Sequence, residues 1–451
     1  MKLSLAAARP HALRRRVDTT VGACAVIGLI LGLVTTLAAT PAHAADAVRA
    51  MPASDFIDSL AVNTHVNYTD GAYVNVRNIA DDLNWLGIRH VRDIVPNGSP
   101  PFDNYVYLAR RGVKFNFLMR TEIDQSIAQA VALNTAVPGS VAAIEGFNEI
   151  DNFPVTYNGL KGAAAGLASQ RDIYRRVQTT PALAGVRVYD VTGYDPKVVD
   201  TRTSSADYSN THVYPQNGEQ PSYNANGDHW LPAALGSVKK FELPVVVTEF
   251  GYFSMPQSGW YMLGVDEPTQ AKGVLNGYMD AAAAGVKRLF VYELLDQKPD
   301  PQNKNAEMHY GMFRNDNSPK VVAHTIRNLT TILNTNTAHR TKAAARDTLS
   351  YTLSGMPVSA YSLLLKKKDG RFVLALWNET PIWDRAKGTP LVSPPVPVQV
   401  DLGANARRVD VYDPMVSAEP LATHRNEGQI SVDVPDHPIL LEISPAGTPG
   451  T

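Results

Sequence analysis

Between about residues 60 and 335 the chain alternates short apolar runs with amphipathic ones, and glycine often marks the change. Val76, Ile79, Leu83 and Leu86 recur at helical spacing, Gly87 stops that helix, and residues 88–93 follow as a strand. The order helix, glycine, strand returns around Gly112 and around Gly285. Continued along the chain, the pattern predicts strands at 60–65, 88–93, 113–118, 141–147, 186–191, 208–213, 243–249 and 286–295. Helices are expected at 74–86, 102–111, 123–133, 166–177, 230–241, 268–284 and 321–333. Strands that read as near-continuous apolar runs are buried on both faces, as in a parallel sheet with crossover helices. Eight of them suit an α/β fold closed as a (β/α)8 TIM barrel. An open doubly wound sheet is the alternative, but no Gly-rich phosphate loop follows any strand.

The pattern changes after about residue 340. Runs at 348–353, 359–366, 371–377, 396–402, 408–412, 429–434 and 439–443 alternate in steps of two, with Lys368, Asp369, Gly370, Asn378 and Pro414 among the turn residues between them. This predicts a C-terminal antiparallel β-sandwich over 345–447, joined by a linker at 334–346 to a barrel spanning 45–335, with 45–54 as a short tail. Residues 1–44 read as an export signal: Arg14, Arg15 and Arg16, then an apolar stretch at 25–38, then Ala42-His43-Ala44 as a cleavage site. That predicts a periplasmic or extracellular protein with no stable membrane association after cleavage, and a monomer is expected.

Composition narrows the function classes. Residues 1–44 hold five Lys/Arg and one Asp, so the remainder has 37 basic and 42 acidic residues, a net of −5. A mildly acidic chain without a basic run argues against nucleic acid as a partner. Cys24 is the only cysteine and lies in the leader, so the exported chain relies on its core and not on disulfides.

Polar residues collect where the strands should end, which is the active face of such a barrel. Strand one gives Asn63 and His65, strand two Arg92 and Asp93, strand three Arg120, and strand four Asn148 and Glu149. Strand six gives His212 and Tyr214, strand seven Glu249, and strand eight Tyr292 and Glu293. Two carboxylates on strand ends facing one cavity can cleave a glycosidic bond, one as proton donor and one as nucleophile or base. Glu149 is expected to be protonated at rest, raised by burial and by a negative Glu249. Arg92 and Tyr214 are expected to keep Glu249 ionised. Asn148 is placed to meet a sugar 2-hydroxyl.

Several supporting residues also have structural readings. His65 and His212 suit core histidines, Arg92 suits a partner of Asp93 or of another barrel acid, and Glu293 a partner of Arg120. Trp230, Trp260 and Tyr261 sit in or beside loops, where they would stack on sugar rings or anchor packing. No cofactor is implied, and the nine His after the leader show no metal-ligand spacing, so no metal is expected.

These residues resemble the retaining glycosidases of the clan-A barrels. Phe147-Asn148-Glu149-Ile150-Asp151 looks like their Asn-Glu-Pro acid/base motif, with Ile150 in place of Pro. Thr248-Glu249-Phe250-Gly251 is similar to their nucleophile motif, and His212-Val213-Tyr214 to their strand-six His-x-Tyr. The barrel-plus-sandwich layout and the Asn-Glu-x-Asp variant look most like glycoside hydrolase family 39, which includes β-xylosidases, α-L-iduronidases and hydrolases of biofilm exopolysaccharide. Tyr292 and Glu293 stand where the clan often has a Trp sugar platform. The resemblance implies a retaining glycosidase acting on a poly- or oligosaccharide. Loops 215–227 and 254–267, rich in Asn, Gln, Gly and Tyr, would wall a groove, so internal cleavage of an exopolysaccharide is expected. An exo-acting, β-xylosidase-like enzyme and a non-catalytic carbohydrate-binding barrel are the alternatives.

Overall fold

The computed structural model describes residues 47–98, 101–120, 122–199, 205–224, 227, 229–239, 241–256, 258, 263–334 and 347–445. The leader, Trp260, Tyr261 and nearly all of the linker lie outside the described residues. Eight parallel strands form the central sheet: β1 Leu60–Asn63, β2 His90–Ile94, β3 Lys114–Leu118, β4 Val141–Glu145, β5 Arg187–Tyr189, β6 Ser209–Val213, β7 Val245–Phe250 and β8 Leu289–Val291. Pairing runs in sequence order from β1 to β5 and from β6 through β8 back to β1. A parallel bridge between Tyr189 and Tyr208 joins β5 to β6, so the sheet curls into a barrel.

Seven α-helices surround it: α1 Val76–Leu86, α2 Pro101–Ala109, α3 Ile123–Ala136, α4 Gly162–Thr179, α5 Trp230–Lys239, α6 Glu267–Ala283 and α7 Val321–Leu333. Their ends follow local chemistry. Asn75 caps α1 by accepting from the N–H groups of Arg77 and Asn78, and Gly87 takes the left-handed conformation that ends it, at φ 75°. In α6 two glycines let strand β7 come close. A β-carbon at Gly277 would lie 2.3 Å from the Phe250 ring, and one at Gly273 2.5 Å from Tyr252. Glu249 therefore stands on a strand whose neighbour is seated against helix backbone.

The strand period of two sets the barrel's interior. Ala61, Ala143, Val246 and Phe290 form an apolar layer with Tyr189. Two residues further on, the same strands present Asn63, Glu145, Thr248 and Tyr292. The interior thus turns polar at the C-terminal ends of the strands, beneath the active face. The alternate residues, such as Val62, Val91, Phe115, Ile144, Val247 and Leu289, pack outward in the main core.

The tail is structured, contrary to expectation. Ala47–Arg49 pairs antiparallel with Thr348–Ser350, Met51–Pro52 pairs parallel with Leu365 and Lys366, and Ala53–Ser59 is a helix. Among the described residues, two larger sheets make up most of the C-terminal region. One holds Ala360–Lys366, Phe372–Asn378, Ile439–Ser444, Arg408–Tyr412 and the unexpected Ala422–His424. The other holds Thr352–Ser354, Val396–Ala406 and Glu427–Val434. Phe372, Leu374 and Leu376 face the second sheet, whereas Val373, Ala375 and Trp377 join the barrel's core. That is why residues 372–378 are buried throughout and show no alternation of polarity. Polar contacts reinforce the seam: the Trp377 indole donates to Asp280 at 2.9 Å, and Lys272 pairs with Asp436 at 2.7 Å. No helix among the described residues is long and apolar enough to cross a membrane.

Candidate active site

A cleft of about 540 Å3 opens at the C-terminal ends of the strands, within the size range of small-molecule sites. His65, Arg92, Asn148, Glu149, Tyr214, Glu249 and Tyr292 line it, so most of the residues singled out from the sequence come together there. Arg120 also lines it, exposed at the rim.

Arg92 organises the floor. It is 4 % exposed, and its Nε and Nη2 donate to the two oxygens of Glu145 at 2.9 and 2.8 Å. Nη1 donates to Glu249 Oε1 at 2.5 Å and to Asn63 Oδ1 at 3.2 Å, and Nη2 also reaches Asn148 Oδ1 at 2.7 Å. Burial works against its charge, but the carboxylates of Glu145 and Glu249 outweigh burial and hold the guanidinium protonated. Asp93 is not its partner. Asp93 instead takes hydrogen bonds from Thr64, the Val66 N–H and Tyr105, fixing the loop after β1, and burial raises its carboxyl to about 6.

Glu249 has both oxygens engaged, Oε1 by Arg92 and Oε2 by the Tyr214 hydroxyl at 2.6 Å. Burial, then the Glu249 charge, raises Tyr214 well above an ordinary phenol, so its hydroxyl remains a donor. The Arg92 bond orients the Asn148 amide with its oxygen inward, leaving the NH2 on the cleft side.

Glu149 follows β4 in a left-handed backbone conformation, φ 39°, which a non-glycine residue adopts at a cost of about 1 kcal/mol. Hydrogen bonds hold it there. Its N–H donates to Thr192 Oγ1, and its carbonyl accepts from the N–H groups of Asn152 and Phe153. Its carboxyl accepts from Asn152 Nδ2 at 3.1 Å and meets His212 Nδ1 at 2.6 Å.

His212 decides where the proton sits. Burial alone would lower the imidazole, but the Glu249 charge and the Glu149 hydrogen bond raise it above its ordinary value. Burial alone would raise Glu149, yet His212, Asn152 and Arg92 bring it below its ordinary value. The expectation that Glu149 is protonated at rest is therefore corrected. His212 Nδ1 lies between the two carboxylates, 2.6 Å from Glu149 and 3.6 Å from Glu249, and both shifts favour the proton on the imidazole. The other ring nitrogen lies 3.1 Å from Thr248 Oγ1, which also lies 2.9 Å from Asn210 Oδ1.

Glu149, His212 and Glu249 present ligand atoms within 4.8 Å of one another, a spacing a cation could bridge. Their atoms already have partners, and the Arg92 guanidinium beside Glu249 would repel a metal ion. The donor set fits proton transfer better than metal binding.

Other assignments change. Glu293 is fully buried below the cleft, where it accepts from Tyr73 at 3.0 Å and Gln297 at 2.9 Å, and Arg120 is not its partner. His65 Nε2 lies 3.1 Å from Glu293, at ion-pair distance but outside hydrogen-bond alignment. Trp230 does not line the cleft; its indole donates to Glu219 at 2.9 Å. Loop 215–227 does not stand free over the cleft either. Gln220 donates to the Thr380 carbonyl, and the Ser222 and Tyr223 N–H groups donate to Glu379, which ties the loop to the C-terminal sheets.

Eight cleft residues were not singled out from the sequence: Tyr68, Ile94, Leu118, Asn152, Phe153, Tyr194, Glu307 and Tyr310. Burial, then the charges of Glu293 and Glu249, raises Glu307 to about 7.

An eight-stranded barrel with a buried arginine binding the strand-seven carboxylate and a histidine binding the strand-four one defines a carboxylate-pair site at the mouth of a (β/α)8 barrel. The chain shares this fold with glycoside hydrolases. A family 39 glycoside hydrolase from Bacteroides cellulosilyticus WH2 superposes with a TM-score of 0.60 at 12% identity, over 86% of this chain and 82% of that one. The GH39 enzyme from Xanthomonas axonopodis pv. citri gives 0.53 at 12% identity, over 88% and 96%. A monomeric β-xylosidase from Caulobacter crescentus CB15 gives 0.53 at 14% identity, over 88% and 98%. No family model and no curated protein matches the sequence. At such identities the likeness is one of fold, and the barrel with its C-terminal sheets is most like that of family 39.

Proposed function

We propose that the chain is an exported retaining glycoside hydrolase that cleaves a polysaccharide by double displacement. What supports the reading above all is the pair Glu149 and Glu249, with oxygens inside 4.8 Å of each other. Retaining enzymes hold their two carboxyl groups about 5–5.5 Å apart, whereas inverting enzymes need about 6.5–9.5 Å for an intervening water. Glu249 attacks the anomeric carbon as the leaving oxygen takes a proton from Glu149, and a glycosyl ester forms on Glu249. Water then attacks that ester, giving its proton to Glu149. The proton used first comes from His212, one hydrogen bond away from Glu149. Asn148 and Arg92 fix the sugar's 2-hydroxyl side, and the Tyr214 donor holds Glu249 in line.

Residues 1–44 motivate a periplasmic or extracellular substrate, and we take this to be an exopolysaccharide cut internally. An exo-acting reading has its own support: Tyr292, Glu307 and Tyr310 stand together on one side of the cleft, where they would close it around a single terminal sugar. Two measurements test the proposal. An activated 2-deoxy-2-fluoro glycoside should leave a covalent adduct on the peptide holding Glu249, and an adduct elsewhere, or an inverted first product, overturns the mechanism. A rapid drop in exopolysaccharide viscosity marks internal cleavage, whereas slow shortening with monosaccharide release marks exo action.

A further inference from the structure

Three exposed aromatic rings line the site: Tyr68, already stacked on His65 at 4.6 Å, and Phe153 and Tyr194, which are 58% and 49% exposed. Large apolar rings are normally left in water singly, and two on one rim of a binding cleft point to a ligand that covers them. Their loops are built to hold them. The segments after β4 and β5 are stitched together by the Thr192 N–H donating to the Phe147 carbonyl and the Ile150 N–H donating to the Thr192 carbonyl, both at 3.1 Å. Asp151 adds a clamp: its two carboxylate oxygens accept the N–H groups of Tyr194 at 2.7 Å and Asp195 at 2.9 Å. The Phe153 N–H donates to the Glu149 carbonyl at 2.7 Å, so this ring's backbone is tied directly to the proton donor.

We infer that Phe153 and Tyr194 form a stacking platform for a second sugar ring, on the leaving-group side of the cleavage point. The side follows from the proton donor. Glu149 serves the leaving oxygen, and Asn152 and Phe153 flank Glu149. Tyr292 and Glu307 stand instead with Glu249, which holds the sugar under attack. Sugar rings present C–H faces that stack on aromatic rings, and Tyr adds a hydroxyl for hydrogen bonding. The inference rests on the glycosidase reading and adds that the substrate is a chain continuing past the cut. A terminal sugar on a small aglycon would leave the platform bare.

The test uses Phe153→Ala, Tyr194→Ala and the double variant in the full-length protein, with thermal melting as the folding control. Substrates are xylo-, cello- and manno-tetraose, the oligosaccharides from partial acid hydrolysis of the producing cell's exopolysaccharide, and the matching monosaccharide glycosyl fluorides. Binding of the same oligosaccharides is measured in the Glu249→Gln background. The expected result is about a tenfold loss of oligosaccharide affinity and kcat/KM per ring removed, about 1.4 kcal/mol each, with fluoride turnover unchanged. Unchanged oligosaccharide binding and cleavage overturn the platform while leaving the glycosidase reading intact. Equal loss on fluorides and oligosaccharides also overturns it, since the rings would then only brace Glu149. A wild type that turns over nothing but whose inactive variant binds oligosaccharides through both rings keeps the platform and removes the glycosidase reading. A protein that binds no oligosaccharide overturns the platform.

Discussion

Replacing His212 by Asn should move the alkaline limb of kcat/KM toward acid. Glu149 can act as an acid only if its pair with His212 holds a proton. In the wild type that proton is held by an imidazole raised above its ordinary 6.5. Without the ring, the proton must reside on Glu149 itself, whose ordinary value is 4.5. The sign is clear: activity that needs this proton is lost as pH rises through the value of whichever group holds it. The ordinary values lie about two units apart; the raised imidazole widens that gap and burial of Glu149 narrows it, so the limb should move by about two units. At neutral pH this leaves about a hundredfold fewer enzyme molecules competent, or about 2.7 kcal/mol. The kcat/KM profile reports the free enzyme, which is the state the structure describes. Measured from pH 4 to 9 on a natural substrate, the variant should show the acid-shifted limb, and a substrate with an activated leaving group should show little change. An unmoved limb, or one moved toward alkali, refutes the assignment of the proton to His212.

Glu249→Gln should lose turnover by on the order of 10^4-fold or more, the scale of a lost nucleophile, and should form no adduct with a fluoro-glycoside; steady-state and single-turnover assays check it. Arg92→Met leaves Glu145 buried with a charge and only Asn116 and Thr248 beside it, and should cost about 3–5 kcal/mol in denaturant unfolding, far more than a surface arginine. Burial raises Asp82 from 3.8 to about 7 against a hydrogen bond from Asn317. Its native carboxyl therefore keeps a proton that the unfolded chain has lost, so stability falls as pH rises from about 4 to about 7, by at most about 4 kcal/mol. In Asp82→Asn this loss should vanish, and a wild-type-like pH slope in its melting temperature would count against the burial argument.

The barrel was legible because its signals are local. Gly87, Gly112 and Gly285 end helices within one turn of the strands that follow, and the apolar runs leave few alternatives to a doubly covered sheet. The tail was not legible, because the strand at Ala47–Arg49 exists only through Thr348–Ser350, some 300 residues away. Glu149, Glu249, Arg92, His212 and Tyr214 were readable from their places at strand ends. Glu145 was hidden inside the apolar run of β4, although its parity with Ala143 marks it as inward-facing and hence in need of a cation. Phe153, Tyr194 and Glu307 lie in connections without periodicity, where only the folded loops say which way a side chain looks. Trp230 shows the opposite failure: it lies beside a loop of the active face, but that loop is drawn toward Glu379 and takes the tryptophan's hydrogen-bond partner with it.

The buried Arg92–Glu145 pair explains how the site can hold three charged groups so close together. Two negative carboxylates within 4.8 Å of each other repel, and in a low-dielectric barrel one of them would take up a proton. Glu145 holds the guanidinium by two hydrogen bonds and turns it so that its other N–H groups face Glu249 and Asn148. His212, from the other side, does the same for Glu149. Glu249 and Glu149 thus each meet a cation delivered by a different strand, Arg92 being shared with Glu145, and the two cations differ in kind. A guanidinium cannot release its proton near neutral pH, whereas an imidazolium can. On the proposed mechanism, the fixed cation stands beside the group that would attack as a carboxylate, and the labile one beside the group that would give and take a proton.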